Sequence, residues 1–486
     1  MTPHRVVVVG HGMVAHRFVD DLTRATRRTG RPVEVTVLGG EPHTAYNRLM
    51  LSEVIAGRAR LAGLTLPEHE DVDVRTGVSA VAVDRSRQVV HDSDGAQHSY
   101  DTVVLATGAG PRMPLDARGL HGVKALRTID DCRELIAAAS PGRPMIVLGG
   151  GLLGIELACG LRTRDVEVTI VHRADHLMEA QLDPTSADVV RNQLERNGIR
   201  VRLGVEVDRL EGESGRVTSA VLSDGNSVAA DIVVACAGVT PRIELARAAG
   251  LQTRRGVVVG NDCRSITDAS VAAIGDCAEP PEGCAGLLAP GWRQAAMLAA
   301  EIAGDLPPAE HRTDDVIQLK AAGLSVVLLG RVDPAHRVVR LSDDSIGRCL
   351  TLAVDDGVVT GAVCVGAADI AADLVSTYER GLPVPLDPAQ LLVRAVAGTS
   401  APAPSPRSMP ASATVCRCNG VTKQAIVEAH VDGAHSVEQI AARTRATTGC
   451  GGCRDAVQGI CQWMAEVDPS LHDRNMHATG SETSVS

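Results

Sequence analysis

The stretch MIVLGGGLLGIEL, beginning at Met145, decides the fold. An apolar run suited to a buried strand meets three consecutive glycines, and the apolar residues beyond them recur at helical spacing. A second stretch of the same form, VVVVGHGMVAHRF, begins at Val6. In each copy the first glycine (Gly10, Gly149) permits a tight turn off the strand. The second (Gly12, Gly151) lets the backbone approach a pyrophosphate, and a third small residue (Ala15, Gly154) allows close helix–strand packing. The helix N-terminus then faces the phosphates. One such turn is a weak signal, but two with flanking strands point to two dinucleotide-binding units.

Two shorter motifs also pair. LATGAGPR (residues 105–112) follows the strand-like DTVV, and ACAGVTPR (residues 235–242) follows DIVV. Their order predicts one unit inserted in the other. The expected fold is α/β, with two Rossmann-like units, a small α+β third domain and a small helical C-terminal module. The expected boundaries are 1–112 with 241–308, then 113–240, 309–397, a flexible linker 398–414, the module 415–467 and a disordered tail 468–486. In the first unit, strand VEVTVLGG leads to Glu41, the candidate for the ribose hydroxyls of a bound nucleotide. In the second, VEVTIV ends in His172-Arg173, where an NAD-selective site carries an acid. Arg173 can meet a 2′-phosphate, which tilts the reading toward NADPH over NADH. Glu156, just inside the second fingerprint helix, is the candidate for orienting the nicotinamide edge; its plainer reading is a helix ion pair.

Composition removes other classes. The chain has 486 residues, 44% hydrophobic and 22% charged, as expected for a globular protein of three or four domains. Only six residues are aromatic (Phe18, Tyr46, Tyr100, Trp292, Tyr378 and Trp463), too few for a single-strand stacking platform. The net charge is −11 and no basic stripe appears, which argues against nucleic acid. The longest apolar stretch is broken by Glu156 and by glycines, so no membrane span is expected. The N-terminus lacks a signal-peptide pattern. Thirteen cysteines, an odd number, suggest reduced thiols with a metal or redox site, and hence the cytoplasm.

Beyond residue 310 the runs become β-rich, and Asp356-Gly357 signals a hairpin. An Ala-, Pro- and Ser-rich segment at 398–414 reads as a linker. The module after it holds Cys416 and Cys418 in VCRCNGVTK and Cys450 and Cys453 in TGCGGCRDA. Four thiolates can bind zinc or an iron–sulfur cluster. The C-x-C end and the crowding glycines Gly449, Gly451 and Gly452 favour a [2Fe–2S] cluster. Ser436 and Gln439 make a capping-box signature between the pairs.

TDASVAAIGDCAE, with Gly275 and Asp276, resembles the C-terminal flavin motif of the two-dinucleotide flavoprotein reductases. The resemblance implies that Asp276 bonds the ribityl chain of FAD. Thr107, Gly108 and Glu41 then belong to an FAD-binding first unit, and the inserted unit takes NADH or NADPH. GHGMVAHRF, EPHTAYNRLMLS, GGGLLGIELA, QLD, AIGDCAE and LLAPGWRQA are similar to the N-terminal half of the assimilatory nitrite reductase large subunit. They are equally similar to the electron-transfer subunit of assimilatory nitrate reductase. The module resembles the bacterioferritin-associated ferredoxin-like domain. This resemblance, over residues 1–467, implies that Arg48 contacts FAD with Tyr46 beside it, and that Pro290-Gly291-Trp292 lies near the flavin. It implies a nitrate or nitrite reductase catalytic subunit as partner, and it admits a homodimer through the third domain. A reading from another class makes the module a docking ferredoxin for an iron-storage protein. No Cys-x4-Cys follows the first fingerprint, so a disulfide reductase is not expected. Two departures qualify the likeness. The chain ends after the module, without a sirohaem half, so nitrite reduction by this chain alone is not expected. Glu53 stands where ferredoxin reductases place a lysine, so a simple ferredoxin reductase is less expected.

Overall fold

The computed structural model describes residues 2–69, 71–113, 119–284, 286–306, 316–393, 405–449 and 451–467. The chain divides into two compact units, Met1–Thr65 with His69–Arg394, and Leu66–Glu68 with Ala395–Ser486.

The larger unit holds a six-stranded sheet in the order 264–265, 268–273, 102–105, 4–9, 33–39, 73–76. Its central strand His4–Val9 runs parallel to both neighbours. Val6, Val7, Val8 and Val9 are buried, as a parallel strand covered on both faces requires. A second sheet, all parallel, has the order 200–202, 167–171, 144–148, 232–235, 123–125. Its strands fall in sequence between two strands of the first sheet, so the chain leaves that sheet and returns to it. The two short paired motifs are the crossing points. Ala109–Pro111 and Val239–Pro241 form an antiparallel ladder. The Thr107 hydroxyl donates to the Arg242 carbonyl at 2.7 Å, and the Arg242 N–H donates to the Gly108 carbonyl at 2.9 Å. This is an α/β Rossmann-type fold.

Helices Met13–Thr29 and Leu288–Ala303 pack on one face of the first sheet around Phe18, Leu22, Ala295 and Leu298. Phe18 is completely buried there. The ring anchors the sheet's core and does not line a nucleotide groove, although it sits on a fingerprint helix. Residues 316–365 form a five-stranded antiparallel sheet covered by helix Ala368–Glu379. Tyr378 belongs to that core. The turn at Asp356-Gly357 joins Arg348–Asp355 to Val358–Val365 as the sequence suggests.

The smaller unit contains helices Lys423–Val431, Val437–Thr444 and Arg454–Val467. The capping box forms, with the Ser436 hydroxyl taking the Gln439 N–H and the Gln439 side chain taking the Ser436 N–H. The linker reading needs correction at its C-terminal end. Residues 394–404 lie outside the described residues, as does the tail 468–486. From Ser405 onward the chain is tied to the module: Met409 packs on its core, and the Ala411 and Ala413 carbonyls accept the Gln424 and Lys423 N–H groups. The buried Lys423 ammonium donates to the Met409 carbonyl at 2.7 Å beneath the Trp463 ring. A buried amine needs such partners, and this Pro-rich segment supplies a carbonyl. Among the described residues no helix is long and apolar enough to cross a membrane.

Candidate functional site

The two fingerprint turns have nearly the same geometry. Gly10 has φ 111° and Gly149 has φ 116°, in the left-handed region. A Cβ on Gly10 would sit 2.2 Å from the Ala106 carbonyl oxygen, and one on Gly149 would sit 2.5 Å from that of Cys236. Each first glycine is therefore demanded by the neighbouring strand as well as by its own turn. Gly12 and Gly151 cap the helices with no side chain over the open N–H groups, and a Cβ at either would meet nothing within 4 Å. Open space before an uncapped helix N-terminus fits an anionic pyrophosphate. Ala15 is buried, and at Gly154 a Cβ would lie 1.9 Å from the Gly149 oxygen, so the second copy is the tighter one.

The first unit gathers its expected residues along one polar network. Arg48 pairs with Glu41 at 2.8 Å, and the Tyr46 hydroxyl donates to the same carboxylate at 2.6 Å. The Ile129 N–H donates in turn to the Tyr46 oxygen at 3.3 Å. Burial pushes the Glu41 carboxyl up, but Arg48 and the two hydrogen bonds outweigh it and hold the group below its usual range. Burial and the bond to Glu41 push the Tyr46 phenol well above its usual value, so Tyr46 remains a donor. Arg48 also donates to the Arg127 carbonyl, and the Arg127 guanidinium pairs with Asp276 at 2.8 Å. Arg127 is a residue that sequence reading does not single out. No local motif marks it, and only the fold brings it to a carboxylate 149 positions away.

Gly275, Gly291 and Val14 meet closely, so the Asp276 turn, helix Leu288–Ala303 and the first fingerprint helix converge. The Gln294 side chain accepts the Gly275 N–H at 2.8 Å. Trp292 lies beneath the Arg17 guanidinium, and its buried indole N–H has no hydrogen-bond partner among the described residues. An unpaired buried donor on the helix packed against the first fingerprint helix fits a bound group that supplies an acceptor. These features together fit FAD.

On the second unit's side, Glu156 reaches a residue of the first unit. The buried Ser52 hydroxyl, on helix Leu51–Ile55 of the first unit, donates to its carboxylate at 2.9 Å. That short helix is held in place from the other side of the gap. Arg164 donates to the Ile55 carbonyl, Thr163 donates to the Ala56 carbonyl, and Gly160 permits the close approach. Glu53 takes a bidentate pair from Arg58 at 2.7 and 2.8 Å. Arg173 is exposed. Because hydrogen bonds to charged groups contribute about 1.5–3 kcal/mol, Ser52→Ala should slow flavin reduction by NAD(P)H about tenfold. Ser52→Thr should restore most of the rate, and stopped-flow absorbance would read both. Equal rates in the wild type and the alanine variant would remove Ser52 from the reaction.

In the smaller unit, Cys416 is buried at the centre of the thiol group. Hydrogen bonds from the Cys418 and Cys453 thiols, with the Thr447 and Asn419 N–H groups, outweigh burial and drive Cys416 toward the thiolate. The Asn419 amide reaches the Cys416 sulfur at 3.7 Å and the Arg445 carbonyl at 2.7 Å. Arg445 and Thr447 both have positive φ; the Arg445 N–H closes the helix on the Ala441 carbonyl, and the Thr447 N–H turns to Cys416. Cys450, the fourth expected ligand, lies outside the described residues. Among the described residues no three His, Cys, Asp or Glu side chains are gathered tightly enough to hold a single metal ion. The converging thiols and inward N–H groups fit an anionic cluster. The other cysteines are buried or half-buried, and burial raises Cys132 to about 11 and Cys159, Cys236, Cys263 and Cys364 to about 12. They behave as small apolar residues.

Known proteins match this geometry. Residues 4–300 match the pyridine nucleotide-disulphide oxidoreductase family, and residues 414–463 match the BFD-like [2Fe–2S] binding domain. The assimilatory nitrate reductase electron transfer subunit of Bacillus subtilis is 31% identical over 96% of this chain and 60% of its own length. The nitrite reductase [NAD(P)H] large subunit of Klebsiella oxytoca is 32% identical over 96% of this chain and 49% of its own. The chain thus spans about half to three-fifths of these relatives. The ferredoxin–NAD(+) reductase component of the biphenyl dioxygenase system of Paraburkholderia xenovorans is 32% identical over 76% of this chain and 93% of its own. Among solved structures, putidaredoxin reductase in its covalent complex with putidaredoxin superposes with a TM-score of 0.72 at 24% identity, covering 82% of this chain and 97% of that one. With two open dinucleotide turns, a flavin-side polar network and a match over its first 300 residues, the chain belongs to the pyridine nucleotide-disulphide oxidoreductase family and is an NAD(P)H:acceptor oxidoreductase.

Proposed function

We propose that this chain carries electrons from NADH or NADPH, through FAD and a [2Fe–2S] cluster, to the catalytic subunit of an assimilatory nitrate reductase. The observation that carries this reading is where the thiols lie. No cysteine pair follows the first fingerprint, whereas three thiols converge in the C-terminal module. FAD, when bound, accepts a hydride from the nicotinamide and can release its electrons singly.

The chain's own groups bind and orient. Gly12 and Gly151 leave the helix N-termini open to phosphates. Glu41, held ionised by Arg48, would take ribose hydroxyls, and Asp276, held by Arg127, would take the ribityl hydroxyls. Ser52 holds the Glu156 carboxylate, which would orient the nicotinamide edge. Hydride transfer moves no separate proton, so no general acid or base is assigned. Cys416, Cys418, Cys450 and Cys453 would hold the cluster. We place the protein in the cytoplasm, on the odd number of cysteines in its sequence.

The second reading is the reductase component of a split nitrite reductase, since nitrite reductase large subunits match at 32% and 31% identity. The test combines the purified chain, NADH or NADPH, and a nitrate reductase catalytic subunit, and follows nitrite. Nitrite formation that depends on this chain is expected. A cluster that stays oxidised under NADH and NADPH would defeat the reading and favour a docking role.

A further inference from the structure

Resting on the reading of residues 144–171 as the nicotinamide-nucleotide unit, we propose that Glu179 is the ribose acid of that unit and that it selects NADH over NADPH. The position that ordinarily carries this acid, at the end of the strand that follows the fingerprint helix, is His172. The His172 ring is buried and fully engaged. Its Nδ1 accepts the Gly150 N–H, from the middle of the fingerprint, at 3.1 Å. A backbone N–H can only donate, so Nδ1 carries no proton and the proton resides on Nε2. Nε2 lies 3.0 Å from the Glu179 carboxylate and donates to it. In this arrangement His172 is neutral and offers no positive charge to a phosphate.

The segment after His172 wraps back over the same turn. The Met178 N–H donates to the Gly150 carbonyl at 2.9 Å, so both backbone groups of Gly150 are held by residues 172–178. A Cβ on Gly150 would lie 2.5 Å from the Leu177 side chain and about 3.0 Å from the His172 ring. Glu179 is therefore seated beside the fingerprint, with its side chain 38% exposed and one oxygen bound to His172. The other oxygen is available to the ribose 2′-hydroxyl. A 2′-phosphate at that point would face this carboxylate. Exposed Arg173 opposes it with a single positive charge, which leaves no net attraction for a doubly charged group. The preference for NADPH that Arg173 alone suggests is thereby reversed: the imidazole carries the acid's place outward to Glu179.

The test titrates the FAD-loaded full chain with NAD⁺ and NADP⁺ by calorimetry and measures kcat/KM for NADH and NADPH. The wild type should favour the NAD form by about tenfold or more, as expected for a partly screened carboxylate beside a phosphate. Glu179→Gln should reduce that ratio about tenfold in both measurements, with the flavin spectrum unchanged. Glu179→Arg should carry the preference to NADPH. A wild type that favours NADPH, or a ratio that Glu179→Gln leaves within about twofold, would overturn the assignment alone. Binding of neither nucleotide would overturn it together with the reading on which it rests.

Discussion

Cys416→Ser should remove the cluster's visible absorbance and cut electron delivery to a one-electron acceptor at least about a hundredfold, while the flavin bands still bleach with NADH. Second-shell changes at metal sites already cost about 10–100-fold in affinity or activity, and Cys416 is a ligand candidate at the centre of its group. It is buried, it receives hydrogen bonds from both described partner thiols, and the Asn419 and Thr447 N–H groups point at it. Serine has too high a pKa to replace the thiolate. Because cluster binding and folding are coupled, the variant module should also be more easily cleaved by protease. Cys461→Ala is the control. That thiol lies in the same small core but outside the thiol group, so both sets of bands should persist. Full cluster absorbance in Cys416→Ser would exclude it as a ligand.

Gly10→Ala and Gly149→Ala should separate the two nucleotides. In each, the added methyl would fall within 2.2 or 2.5 Å of a fixed carbonyl oxygen, at a φ that costs a side-chain-bearing residue about 1–3 kcal/mol before the clash is counted. The strand ends must therefore move apart, and the phosphate turn opens with them. Gly10→Ala should purify with little or no FAD. Gly149→Ala should retain its yellow colour yet fail to be reduced by either nicotinamide nucleotide, and its NAD⁺ titration should be flat. The opposite pattern, with FAD lost from Gly149→Ala and kept by Gly10→Ala, would reverse the assignment of the two units.

Much of this molecule is legible in its local patterns. The glycine turns report themselves because the physics behind them is local: a positive φ, a close carbonyl and an open helix end all arise within a few residues. The Asp356-Gly357 hairpin, the Ser436–Gln439 capping box and the C-x-C and C-x2-C pairs are legible for the same reason. The pairing of LATGAGPR with ACAGVTPR goes further, since two similar segments turn out to be the strands that join the nucleotide units.

The aromatic residues show the limit. Tyr46 joins the Glu41–Arg48 network and Trp292 offers an unpaired indole N–H, but Phe18 serves the first sheet's core and Trp463 covers Lys423. Sequence position alone cannot separate a ring that faces a groove from one that faces a sheet, because both lie on the same helices. The Pro-rich segment is a similar case. Its composition predicts a mobile linker, yet residues 405–413 are held by the module because Lys423 and the neighbouring N–H groups need carbonyls.

By itself, the sequence determined the chemistry that short-range geometry controls: two dinucleotide turns, a four-cysteine module, and no thiol pair beside the flavin motif. Tertiary packing sets which polar groups meet. Asp276 with Arg127, Glu156 with Ser52, and Glu179 with His172 are set by helix packing and strand order. The first two partners are 149 and 104 positions apart, and the third is brought together by a loop folding back across Gly150. Electrostatic and hydrogen-bond energies depend on separation in space, so no reading of spacing along the chain can supply these pairings.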